Sequence, residues 1–91
     1  MRVIVEYNNT KYEFQNTTFA YIFECAIENN FDKKYGEKTL MEFINLVYEC
    51  YMKDSNATPL GHLTDYMAKH WKKIKDLSRY DILEKFYAQL P

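Results

Sequence analysis

Side chains able to do chemistry are few in this 91-residue chain, and their spacing decides what they can do. The soft metal ligands are Cys25, Cys50, His62 and His70. None stands in a CxxC or HExxH arrangement and no short Cys–His spacing occurs, so a zinc centre would need ligands gathered from scattered positions. No metal or other cofactor is expected. A phosphate-cradling loop needs consecutive small residues that let backbone amides approach; Gly36 and Gly61, the two glycines, stand alone. Ser55 and Ser78 fall in loop or cap contexts rather than in a nucleophile elbow. Without these constellations the chain is read as non-enzymatic.

Three other sets of residues point to binding instead. Lys69, Lys72, Lys73, Lys75 and Arg79 form a basic stretch opposed locally by Asp76 alone, with Tyr66, Trp71 and Tyr80 interleaved. The formal charge of −1 hides this polarity: residues 1–55 hold six basic and nine acidic side chains (net −3), residues 56–91 six basic and four acidic (net +2). Such a patch attracts an acidic protein surface or phosphates. Cations near a helix C-terminus also complement its dipole, which is the purely structural explanation. His62, Tyr66 and His70 recur at i, i+4 and i+8, a polar-aromatic strip of the kind found beside a core face. The third set is aromatic. Nine Tyr, six Phe and one Trp make up 18% of the chain. Tyrosine suits interfaces because it brings large area and a hydrogen-bonding tip, and Tyr21, Tyr48, Tyr51, Tyr66 and Tyr80 are the candidate partner-contacting residues.

The elements that must position these residues follow from periodicity. Arg2–Tyr7 and Lys11–Gln15 alternate and are rich in β-branched or aromatic residues, predicting two strands. Asn8-Asn9-Thr10 lies between them, and Asn tolerates the positive φ of a tight hairpin turn. A lone hairpin is marginal, so it must lie on helices or pair with a partner, and its free edge is a template for another chain. Phe19, Ile22, Phe23, Ala26 and Ile27 predict a first helix over Phe19–Asn30, with cap side chains at Asn16-Thr17-Thr18 and a polar loop from Phe31 to Lys38. Thr39 and Glu42 read as a capping box for a second helix reaching Lys53. Its polar residues, Glu42, Asn45, Glu49 and Lys53, form one narrow stripe, so it is either central or covered in part by a partner, a second copy included. Thr58-Pro59 predicts the start of a third helix with Leu60, Leu63, Met67, Trp71 and Ile74 on one face, and Asp65–Lys69 and Lys72–Asp76 as i,i+4 pairs. Ser78 and Asp81 open the last helix, Arg79–Gln89, with Ile82, Leu83, Phe86, Tyr87 and Leu90 facing inward.

The expected architecture is α+β: an N-terminal β-hairpin followed by a small bundle of about four helices, in a single compact domain over residues 1–91. With 47% hydrophobic and 27% charged residues the composition is that of a folding chain. No apolar run approaches the ~20 residues needed to span a bilayer, and with no export signal the expectation is a cytoplasmic protein whose two cysteines are reduced and buried. Asn8, Asn16 and Asn56 begin Asn-X-Thr triplets, read as chance in an Asn-rich chain.

Compact size, no catalytic signature, polarised charge and surplus aromatic surface together resemble the profile of small accessory proteins of phages and mobile elements. Anti-CRISPR and other anti-defence inhibitors, which occupy a host partner's surface, share that profile. The first expectation is therefore a protein-binding module, homodimeric or bound to a different protein. The alternative is a nucleic-acid-binding regulator that uses the basic end of the third helix in a helix-turn-helix-like arrangement. Against it, Tyr80–Phe86 is poor in base-reading side chains and carries two acids, and a pI near 6.1 lacks the usual basic footprint.

Overall fold

Two consecutive asparagines close the first element. In the computed structural model, which describes residues 2–91, Asn8 and Asn9 have φ of 52° and 62°, the mirror-image turn whose twist matches that of a hairpin. It joins β1 (Val3–Tyr7) to antiparallel β2 (Thr10–Phe14), with Tyr7 opposite Thr10, Val5 opposite Tyr12 and Val3 opposite Phe14. Alternation then sends Val3, Val5, Tyr7, Tyr12 and Phe14 to one face, where Tyr7, Tyr12 and Phe14 all pack on Phe23 with ring centroids 4.8–6.0 Å apart. Tyr7 also donates its hydroxyl to Asp32 Oδ2 at 2.8 Å.

Six helices follow: α1 (Thr17–Glu28), α2 (Phe31–Tyr35), α3 (Glu37–Lys53), α4 (Leu60–Lys69), α5 (Trp71–Ile74) and α6 (Arg79–Ala88). Asn16 caps α1, its Oδ1 accepting from the Phe19 amide at 3.1 Å, and Ser78 caps α6 through the Asp81 amide at 3.1 Å. Two triplet asparagines, Asn8 and Asn16, thus have structural work as turn and cap. The core is one cluster running from Phe14 to Phe86, with Ile22, Phe43, Val47, Leu63, Met67 and Ile82 fully enclosed. Among the described residues, no helix is long and apolar enough to cross a membrane.

Helix α3 lies at the centre. Leu40, Phe43, Ile44, Val47 and Cys50 are buried, Met41, Leu46, Tyr48 and Tyr51 half-buried, and the polar stripe of Glu42, Asn45, Glu49 and Lys53 faces solvent. The chain's own elements cover most of this helix; Met52 is its exposed apolar residue.

Four local expectations are corrected. The stretch after α1 is no polar loop: Asn30 turns the chain at φ 58°, and Phe31, 1% exposed, stacks on Phe43 at 4.2 Å from the single-turn helix α2. The Thr39–Glu42 capping box does not form, because Gly36 at φ 89° starts α3 three residues earlier. Thr58 does not cap α4; its hydroxyl donates to the Asp54 carbonyl at 2.7 Å and meets the Tyr87 hydroxyl at 2.6 Å, tying the α3–α4 loop to α6. The third helix is divided at His70, whose backbone (φ −112°, ψ 21°) redirects the chain so that Trp71 meets Phe31 and Phe43 edge-on at 5.6 and 5.4 Å.

Candidate recognition surface

Dividing that helix changes the basic stretch. Lys69 ends α4, Lys72 and Lys73 lie on α5, Lys75 follows it and Arg79 opens α6. Arg79 is held by Glu49 of α3, and Lys75 pairs with Asp76 at 3.2 Å. The expected i,i+4 pairs are replaced: Asp65 accepts from Asn29 Nδ2 at 2.8 Å, and Asp76 takes Lys75 instead of Lys72. Of the five basic side chains, Lys69, Lys72 and Lys73 make no ion pair among the described residues. The five basic residues of the stretch thus come from α4, α5, the turn after α5 and α6, and two of them are ion-paired.

The tyrosines also separate. Among the described residues Tyr80 is the most exposed large apolar side chain, at 71%, with Ile4 at 65%, Met52 at 53% and Tyr21 at 48% behind it. Tyr48 is half-buried and stacks on Phe19 with centroids 4.0 Å apart. A groove of 570 Å³ is lined by Tyr48, Glu49, Met52, Lys53 and Arg79, and the Lys53 ammonium reaches from it to 5.0 Å from the Tyr80 ring. Helix α3 supplies one wall through its last two turns and α6 supplies the other through its first. Of the candidate tyrosines, Tyr48 and Tyr80 therefore share one surface. Tyr51 is half-buried against the core. Met52 was missed by the aromatic criterion; the signal was its place in the last turn of a helix whose inward positions were already filled.

Tyr21 belongs to the α1–α4 contact. A Cβ on Gly61 would lie 2.7 Å from its hydroxyl, so the glycine admits the phenol against the backbone of α4. A hydrogen bond with the Cys25 thiol, followed by their mutual charge repulsion, pushes the Tyr21 phenol above its ordinary value. Tyr66 sits elsewhere, between His70 (4.6 Å) and Phe86 (5.6 Å). With His62 and Leu90, Tyr66 and His70 line a separate 380 Å³ groove between α4 and the end of α6.

Cys25 and Cys50 are free and buried. Burial raises the Cys25 thiol and pushes that of Cys50 up to about 11, the direction of an inert core thiol rather than a nucleophile. Among the described residues, no group of three or more His, Cys, Asp or Glu side chains is placed to hold a metal ion. No protein-family model matches the chain, and neither the curated proteins nor the solved structures yield a significant match.

Proposed function

We propose that this protein is a non-enzymatic protein-binding module whose recognition surface is the α3–α6 groove. The observation that carries the reading is the exposure of Met52 and Tyr80 beside one groove, around the Glu49–Arg79 pair. Exposed aromatic and thioether side chains flanking a charged pair are the composition of an interface centre. Lys53 and Arg79 outweigh Glu49 there, so the surface fits a partner segment that carries a large apolar side chain beside a carboxylate. The resemblance in profile to phage accessory inhibitors supports occupancy of a partner's surface as the mode of action.

The test is comparative capture on immobilised wild-type protein, Met52→Ala/Tyr80→Ala and Tyr21→Ala. A partner retained by wild type and by Tyr21→Ala, and lost from the double variant, supports the groove. Equal retention by all three refutes it. Binding of a labelled DNA duplex that weakens steeply with salt and is abolished by charge removal at Lys69, Lys72 and Lys73 would replace it with the nucleic-acid reading.

A further inference from the structure

Among the described residues the hairpin is the whole sheet: strand order is β1-β2, so β1 has an unpaired edge. Natural edge strands are blunted by charge, proline or a bulge. β2 follows that rule, placing Lys11 and Glu13 on its outer face. β1 carries Glu6, and Arg2 just before it, on its outer face, but between them stands Ile4, 65% exposed.

We propose that a second copy of this chain occupies that edge, with β1 pairing antiparallel to β1 about a two-fold axis at Ile4 and joining two hairpins into a four-stranded sheet. The segment Arg2-Val3-Ile4-Val5-Glu6 is complementary to its own reverse. In this register Ile4 stands opposite Ile4, Val3 opposite Val5, and Arg2 opposite Glu6, twice by symmetry. Backbone parity agrees. The two-residue turn makes Tyr7–Thr10 a hydrogen-bonded pair, so alternation makes Glu6–Lys11 and Ile4–Glu13 non-hydrogen-bonded pairs within the hairpin. The amides and carbonyls of Ile4 and Glu6 therefore point to the open edge, where this register needs them. Sliding by one residue breaks that parity, and sliding by two sets Ile4 against Arg2 or Glu6. The faces agree as well, since half-buried Val3 and Val5 remain on the helix side and Ile4 on the outer side. Arg2, now 3.0 Å from Glu13 of its own hairpin, gains a second carboxylate across the axis.

Charge reversal tests the pairing directly. In Arg2→Glu the cross-axis pairs become Glu–Glu, and in Glu6→Arg they become Arg–Arg; an equimolar mixture restores two Arg–Glu pairs in a heterodimer. By sedimentation equilibrium, wild type should approach twice 11.0 kDa with rising concentration. Each variant alone should associate about tenfold more weakly or worse, and the mixture should recover the wild-type affinity. Ile4→Lys, which sets two ammonium groups on the axis, should be monomeric. All three positions are exposed, and circular dichroism should show an unchanged fold. A wild-type mass of 11.0 kDa up to millimolar concentration overturns the proposal. So do single variants that dimerise like wild type, or a mixture that stays monomeric.

Discussion

Replacing Phe23 with Ala should detach the hairpin from the helices before it unfolds the rest. Phe23 is 1% exposed, and every aromatic contact of the hairpin among the described residues is made with it, at 6.0, 4.8 and 5.2 Å. Ring pairs of this kind contribute roughly 0.5–1.5 kcal/mol each beyond area burial, and deleting a buried Phe costs about 3–5 kcal/mol. A chain of this length is stable by about 5–14 kcal/mol. The variant should therefore lose about 3–5 kcal/mol, a large fraction of that stability, measured by urea unfolding. Phe86→Ala is the matched control, since Phe86 is 0% exposed and packs on Tyr66 and Tyr87 instead. Both variants should lose comparable global stability, yet only Phe23→Ala should let the hairpin amides exchange faster than those of α3. Hairpin amides protected as well as α3 in Phe23→Ala, or a cost below about 1.5 kcal/mol, would refute the assignment of Phe23 as the anchor.

Ser78→Ala removes the oxygen that accepts from the Asp81 amide and should cost about 1 kcal/mol, whereas Ser78→Gly should cost only a few tenths; urea midpoints distinguish them. The Cys50 thiol, pushed up to about 11 by burial, should resist alkylation at pH 8 until the chain unfolds. Its folded value lies above the ordinary 9.0, so its contribution is intact below pH 9 and declines as pH rises from 9 towards 11. Cys50→Ala, though less stable overall, should show a shallower loss across that window. Met52→Ala and Tyr80→Ala, at exposed positions, should shift unfolding by less than about 0.5 kcal/mol while weakening partner capture.

What could be read in advance was local chemistry. Asn8-Asn9 specified its turn, Ser78-x-x-Asp81 its cap, and the Glu42–Asn45–Glu49–Lys53 stripe the solvent face of α3, because each depends on residues within one or two turns of one another. The misreadings share a different cause. Phe31 is the one fully buried residue of α2, and a single buried position in a polar stretch has no period to detect. Leu60, Leu63, Met67, Trp71 and Ile74 keep helical spacing across the break at His70, so pattern alone could not show that the indole of Trp71 turns towards Phe31 and Phe43. The basic stretch was legible as composition. The pairing of Arg79 was not, because Glu49 lies thirty residues from it.

The two proposed surfaces use different elements: the groove belongs to α3 and α6, and the open edge belongs to β1, which is anchored through Phe23 of α1 and Asp32 of α2. A two-fold pairing of β1 strands would therefore carry two grooves without remodelling either. On a partner displayed densely, the second groove binds at an effective concentration of order millimolar, and avidity can exceed single-site affinity by about 10²–10⁴. Ile4→Lys should then lower retention on a dense partner surface while leaving affinity for the same partner free in solution unchanged. Tyr80→Ala should lower both. An equal loss of solution affinity in Ile4→Lys would show that edge and groove are one site, and the separation drawn between them would fail.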